Sequence, residues 1–309
     1  MTRSAEDAAM KVGQMLETFC VNDRDRSKRW SRLVRAQARR VAILNAKRVL
    51  GFIWPGLRYR GQPEILAAYD RQWRKKKWEK YRMGSGLEGA PWVWRDRKLL
   101  LSNEAGAAVR LTYMDAALTS LRPRSVLEVG CGNGINLLLL AAAYPAVQFF
   151  GIEPTENGWS AAQRVVHEGR LPDVLKQFSP LAIVDEGAVS RIRFERGSAA
   201  KLPYREGSFD VVFTSLALEQ MEAIRSQAMT EIVRVAKSYI VMLEPFCDVN
   251  SGGLRRRYVK AYDYFQGAIS DLPRYGLEVI SIEKDMPHKA WLGTALVVAT
   301  KSDAAEHSA

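Results

Sequence analysis

Ser125-Val126-Leu127-Glu128-Val129-Gly130-Cys131-Gly132-Asn133-Gly134 is the stretch on which the reading of this chain turns. A short apolar run ends in glycine, three glycines alternate, and a helical stretch, Asn136 to Tyr144, follows. Such a turn leaves backbone N–H groups bare at the start of a helix, and the glycines let a ligand approach them closely. A nicotinamide-dinucleotide turn reads Gly-x-Gly-x-x-Gly. Here the third glycine comes one position early and Glu128 sits two places before the first, which disfavours a dehydrogenase. Nineteen residues after Gly134, Glu153 ends the next apolar run, Gln148 to Glu153. A carboxylate there can accept two hydrogen bonds from the vicinal hydroxyls of a ribose.

Outward from this turn, strands alternate with helices. Residues 124–130, 148–153, 191–195, 209–214, 239–243, 277–282 and 295–300 read as strands, and 136–144, 157–168, 228–237 and 254–269 as helices. The expected fold is α/β: a doubly wound, Rossmann-like, seven-stranded, mostly parallel sheet with an antiparallel edge strand, plus a mainly helical N-terminal segment.

Three further pieces carry a pattern: Leu202-Pro203-Tyr204, Phe209-Asp210-Val211-Val212, and Glu244-Pro245 at the end of the fifth strand. With Glu128, Gly130, Gly132, Gly134 and Glu153 they make residues 123–301 resemble a class I S-adenosylmethionine-dependent methyltransferase, of the branch related to small-molecule methyltransferases. The resemblance covers about three fifths of the chain and does not reach the N-terminal segment. It implies S-adenosylmethionine as cofactor, S-adenosylhomocysteine as product and no metal. It places cofactor contacts at Glu128, Gly130, Cys131, Gly132, Asn133, Gly134, Glu153, Pro154, Ser198, Ala199 and Ser215. Ser198 stands where the family commonly has an aspartate for the adenine amine, and a hydroxyl accepts more weakly than a carboxylate. The loop after strand four reads Ser215-Leu216-Ala217-Leu218-Glu219-Gln220-Met221, so Gln220 replaces the histidine that is the usual base. Glu219 is then the first candidate catalytic residue, as base or acceptor-orienting group, set against a plain helix-start carboxylate. His288, after Met286-Pro287, is the second candidate, set against a surface histidine. His167 and His307 read as incidental. Cys247 lacks the partner Pro-Cys that a cytosine C5 nucleophile needs.

The net charge of +12 is unevenly spread. Residues 1–122 hold 26 basic and 12 acidic residues, net +14, and the remainder holds 20 and 22, net −2. Six of eight tryptophans are in the first part. Two segments of different surface chemistry therefore join near Pro123: a basic, Trp-rich, mainly helical segment 1–122 serving as lid or acceptor wall, and a cofactor-binding domain 123–301, with 302–309 a disordered tail. Residues 28–50 read as a helix with Trp30, Leu33, Val34, Gln37, Val41 and Leu44 on one face and Lys28, Arg32, Arg35 and Arg39 opposite. Such a helix packs on the main domain or lies on an anionic membrane, and the apolar tip Phe52-Ile53-Trp54-Pro55-Gly56-Leu57 suits the latter. Residues 71–82 interleave basic and aromatic residues, as a phosphate-gripping segment or as a helix with the stripe Tyr69, Trp73 and Tyr81. Residues 84–90 read as a flexible loop over a site, Trp92 and Trp94 as strand, and 99–121 as helix.

The expected activity is O-methylation of a small-molecule acceptor, such as a sugar, a glycoconjugate or a secondary metabolite, by in-line displacement at the sulfonium methyl. Two alternatives stay open: an RNA or membrane-lipid methyltransferase using the basic segment, and an inactive methyltransferase-fold binding subunit. Thr214-Ser215-Leu216-Ala217 lacks the (Asp/Asn)-Pro-Pro-aromatic sequence of base amino-group methyltransferases, which disfavours that nucleic-acid chemistry. Cys20, Cys131 and Cys247 lie far apart, so neither a disulfide framework nor a cysteine zinc site is expected. Three histidines without a His-x-x-x-His pair argue against a histidine metal site. No apolar run reaches the roughly 18 residues of a membrane span, and no signal peptide is visible. The expected location is cytoplasmic, with peripheral contact to an anionic membrane as an option. The oligomeric state is not legible.

Overall fold

Side chains of alternating strand residues must point to opposite faces, and in this chain both faces are apolar. The computed structural model describes residues 2–21, 25–53, 61–75, 78–82, 89–102 and 104–302, with side chains from residue 6 onward and excepting 51–53. The N-terminal part contains α1 (Thr2–Phe19), α2 (Arg26–Ile53), α3 (Gln62–Lys75), β1 (Ala90–Trp94), β2 (Arg97–Leu101) and α4 (Ala105–Leu121). After it come β3 (Ser125–Val129), α5 (Ile135–Ala143), β4 (Gln148–Glu153), α6 (Glu156–Glu168), α7 (Asp173–Phe178), β5 (Arg193–Arg196) and β6 (Phe209–Ser215). The chain continues with α8 (Arg225–Val235), β7 (Ala236–Glu244), α9 (Gly253–Tyr262), β8 (Leu277–Glu283), β9 (His288–Lys289) and β10 (Ala295–Lys301).

The large sheet has seven strands in the order β5-β4-β3-β6-β7-β10-β8. β5, β4, β3, β6 and β7 run parallel, and β10 is antiparallel to both β7 and β8. The doubly wound, mostly parallel sheet read from the sequence is therefore present, with its antiparallel strand at the β8 end. One face buries Val126, Val211, Phe213, Val241 and Val298 under α4 and α5. The other buries Leu127, Val129, Val212, Ile240 and Val297 under α8. Helices on both faces explain why these strands are continuous apolar runs.

The N-terminal segment is not a loose appendage. Ala8, Val12, Leu16 and Phe19, spaced at helical intervals on α1, are buried in the same apolar core as α4 and α5. Burial of a large apolar side chain such as Leu16 stabilises by about 1.5–3 kcal/mol. β1 pairs with β2 on one side and with β9 on the other, forming a three-stranded sheet. α2 packs through its buried Val41 side, with Trp30 Nε1 donating to the Trp92 carbonyl (3.1 Å) and Asn45 Nδ2 to the Arg257 carbonyl (3.0 Å). Its apolar stripe therefore faces the protein, and Lys28, Arg32, Arg35 and Arg39 are exposed.

Several local readings change. Residues 97–101 are strand, not the start of a helix. Leu99, Leu100 and Leu101 pair with Trp92, Pro91 and Ala90 across a turn where Arg95 is left-handed (φ 52°), and α4 begins only at Ala105. The stretch 254–269 is not one helix, because α9 stops where Asp263 turns left-handed (φ 53°). Tyr69 and Trp73 share α3, but Tyr81 belongs to a separate short 3₁₀ turn, Trp78–Tyr81. The apolar tip from Trp54 to Leu57, Lys76 and Lys77, residues 84–88 of the glycine loop, His307 and the tail from residue 303 lie outside the described residues. Among the described residues no helix is long and apolar enough to cross a membrane.

Candidate active site

The C-terminal ends of β3, β4, β5 and β6 open into a cavity of about 1050 Å³. That is at the upper limit of the usual 300–1,000 Å³ for a ligand site, and it gives room for a cofactor and a second molecule. α3 and the β1–β9 pair close it from the N-terminal side.

The glycine turn forms its floor. Gly130 and Gly132 have positive φ (78° and 56°), which side chains rarely tolerate. A Cβ on Gly132 would lie 2.3 Å from the Trp73 ring, so the indole of α3 rests directly on this turn. Gly134 does not line the cavity. It starts α5, where a Cβ would strike Phe194 and Ala162, so its glycine serves helix-on-sheet packing. Glu153 accepts from Gly132 N–H (2.9 Å) through Oε2, and from the backbone N–H (3.0 Å) and hydroxyl of Thr155 through Oε1. Burial raises its pKa against these hydrogen bonds. Glu128 accepts from Asn136 Nδ2 at 2.6 Å, while its other oxygen and Asn133 Oδ1 are buried without a partner. Burial pushes Glu128 to about 8. Cys131, Asn133, Pro154, Ser198, Ala199 and Ser215 also line the cavity.

The far half is built by the loop after β6, α9 and the 286–294 segment. Leu216 is left-handed (φ 53°) without being glycine, a conformation that must be held in place. Glu244, fully buried at the end of β7, holds it: its Oε1 accepts from Ala217 N–H (3.0 Å) and Leu218 N–H (3.2 Å). The same loop presents Glu219, which is only 7% exposed. Glu219 Oε1 accepts from Gln220 Nε2 (2.8 Å), and Oε2 has no partner. Burial raises Glu219 to about 7, against the pull of Lys289 and Arg110. Burial, then the charge of Glu219, raises Glu244 to about 8.

His288 also lines the cavity, with both ring nitrogens engaged. Arg255 Nη2 lies 3.0 Å from Nε2 and the Lys289 carbonyl lies 2.9 Å from Nδ1. Arginine can only donate and a carbonyl only accept, so the ring is neutral with its proton on Nδ1. Burial also lowers its pKa.

Among the lining residues not singled out from sequence are Arg110, Lys289, Tyr258 and Tyr264. Arg110 had a signal, as the one basic residue in the apolar helix α4. It sits near Glu128, Glu219 and Glu244, and burial lowers its pKa. Tyr258 and Tyr264, with ring centroids 5.7 Å apart, give the far half an aromatic wall. Among the described residues, no group of three or more His, Cys, Asp or Glu side chains is arranged to hold a metal ion.

Comparison with known proteins agrees with this geometry. Residues 127–239 match the family described as "Methyltransferase domain". Ajmaline N-methyltransferase of Rauvolfia serpentina is 31% identical over 117 residues, covering 38% of this chain and 34% of that protein. Probable tocopherol O-methyltransferase of Oryza sativa subsp. japonica is 27% identical, covering 44% of this chain and 34% of that protein. The matched segment thus spans about a third of the length of these two relatives. The solved structure of the [4+2]-cyclase SpnF superposes with a TM-score of 0.51 at 17% identity, over 79% of this chain and 97% of that one. The methyltransferase match over residues 127–239, on a Rossmann-like sheet, supports a class I S-adenosylmethionine-dependent methyltransferase domain with S-adenosylmethionine as its cofactor. The residues present fit that cofactor: a glycine cradle that side chains would fill, with orphaned polar atoms on Glu128 and Asn133 beside it.

Proposed function

We propose that this protein methylates a hydroxyl group of a small-molecule acceptor, such as a sugar, a glycoconjugate or a secondary metabolite, in the far half of the cavity. The observation that carries the reading is Glu219: a buried carboxylate in the cavity wall with one oxygen unpartnered and a pKa of about 7. When bound, S-adenosylmethionine supplies an electrophilic methyl on its sulfonium. Glu128, the turn from Gly130 to Asn133, Glu153, Pro154, Ser198, Ala199 and Ser215 would hold it. Glu219 accepts the acceptor's hydroxyl proton as the oxygen takes the methyl. A base whose pKa is near the working pH is best matched to that task and typically contributes 10²–10⁴-fold. Glu244 acts through Glu219 by holding the loop that carries it, so it is a positioning residue. His288 is a weaker base candidate, because Arg255 occupies its Nε2 lone pair. Segment 1–122 serves as lid and acceptor wall for domain 123–301, through α3 over the glycine turn and β1 against β9.

A cyclase shares the fold, so fold alone does not fix the reaction. The experiment is transfer of labelled methyl from S-adenosylmethionine to matched panels of hydroxyl and amine small molecules. Transfer to hydroxyls that is lost in Glu219→Gln supports the reading. Transfer to amines alone, undiminished in that variant, replaces it with N-methylation. Cofactor binding without transfer to any acceptor favours a binding subunit.

A further inference from the structure

α2 is a 28-residue helix with one side packed and the opposite side in solvent. At 100° per residue, Lys28, Arg32, Arg35, Arg39, Ile43, Ala46 and Leu50 fall along one outward stripe, with Val49 at its margin. All are exposed. The stripe is divided along its length and not around it. Its first half is basic, and its second half presents Ile43, Val49 and Leu50 at 57%, 69% and 54% exposure. From Lys28 to Leu50 it runs about 33 Å. Arg32, Arg35, Arg39 and Lys47 make no ion pair among the described residues. Three of the seven large hydrophobics exposed across the described residues are gathered here, on the last three turns of the helix.

We propose that the outward face of α2 docks on an anionic lipid bilayer, with Ile43, Val49 and Leu50 entering the headgroup–acyl boundary and Arg32, Arg35 and Arg39 lying against lipid phosphates. Both halves of the stripe are needed for this choice. Unpaired arginines alone would suit any polyanion, but nucleic-acid phosphates offer nothing to three aliphatic side chains. A protein partner would satisfy the aliphatic group but would need a matching acidic surface. A bilayer with anionic headgroups supplies both chemistries at once. The packed side gives the docking a consequence for the cavity. α2 is seated on α9 through Asn45 to the Arg257 carbonyl and Arg48 to Asp263 (2.6 Å). α9 carries Tyr258, which lines the cavity's far half. A docked α2 would therefore bring the acceptor end of the cavity close to the bilayer.

Flotation of the full-length protein with phosphatidylcholine vesicles, with and without phosphatidylglycerol, tests this. The expected result is binding to the anionic vesicles only, weakening as salt is added. Each arginine near the surface should be worth about fivefold. Arg32→Glu with Arg35→Glu, and separately Val49→Ser with Leu50→Ser, should each lower the bound fraction at least tenfold. All four positions are exposed, so the S-adenosylhomocysteine-induced thermal shift should be unchanged in both variants. Three results overturn the proposal: no flotation with anionic vesicles, flotation that neither variant reduces, or RNA gel shifts that need the arginines without vesicle binding. A concentration-dependent dimer abolished by Val49→Ser with Leu50→Ser, again without vesicle binding, would give the face to a second copy instead.

Discussion

Asp70 on α3 accepts two hydrogen bonds from Asn157 at the start of α6, one from the backbone N–H (2.8 Å) and one from the side-chain amide (2.6 Å). The carboxylate meets the positive end of the α6 dipole, and it fixes α3 where Trp73 covers Gly132. Asp70→Ala should release this clip. A charged hydrogen bond is worth about 1.5–3 kcal/mol, so S-adenosylhomocysteine affinity should fall about tenfold or more if α3 closes over the ligand. Calorimetric titration checks it, and unchanged affinity would show that α3 does not close over the bound ligand.

The glycine turn and Glu153 should decide cofactor binding. S-adenosylhomocysteine is expected to raise the melting temperature by mass action, and Gly132→Val and Glu153→Ala should each remove most of the shift. The valine would be forced into a left-handed conformation and onto the Trp73 ring. Trp73 should also report binding: a ligand-dependent fluorescence change in the parent protein should be largely lost in Trp73→Phe. Full thermal shifts in both folded site variants would move the cofactor elsewhere.

For Glu219 the pH profile separates a base from a holder. The carboxyl must be deprotonated to act, so kcat should rise with pH through about 7. Glu219→Gln keeps the shape and removes the charge. It should lower kcat by about 10²-fold or more and flatten this limb, leaving cofactor affinity unchanged. A raised KM with kcat intact would mean that Glu219 only holds the acceptor.

Glu128 and Glu244, both raised to about 8, make stability depend on pH. The folded state keeps their protons to higher pH than the unfolded chain does. Stability from these groups is therefore full below the ordinary carboxylate pKa and is lost as pH rises through about 8. The urea midpoint should fall between about pH 5 and about pH 9. Glu244→Gln, which keeps an oxygen for Ala217 and Leu218 N–H, should flatten the fall. A midpoint that rises over this range would contradict the raised values.

What the sequence revealed follows from how local each signal is. The glycine turn, Glu153 and the strand–helix alternation are short-range patterns, and they placed the sheet and the floor of the cavity. Leu99-Leu100-Leu101 is an apolar run that suits helix or strand equally, and only pairing with β1 decides between them. β9 is two residues long and has no periodicity to read. The engagement of His288 by Arg255 joins positions 33 residues apart, and Trp73 reaches Gly132 from another helix altogether. Such contacts depend on how elements dock, which no local pattern encodes. Glu219 was found because the loop after β6 is a recognisable place. The loop's left-handed residue and its buried support, Glu244, were visible only in three dimensions.

The pairing of β1 with β9 sets an order of assembly. Val93 and His288 are register partners about 195 residues apart. During synthesis the β1–β2 hairpin emerges early and has to wait for β9 before the second edge of β1 is covered. Long-range strand pairing of this kind comes late and slows folding. On this ground the wall carrying His288 and Lys289 is expected to form last in the cavity. A nascent chain stalled before residue 286 would hold a glycine turn beside an unfinished acceptor pocket, with one open edge of the tryptophan strand for chaperones to shield.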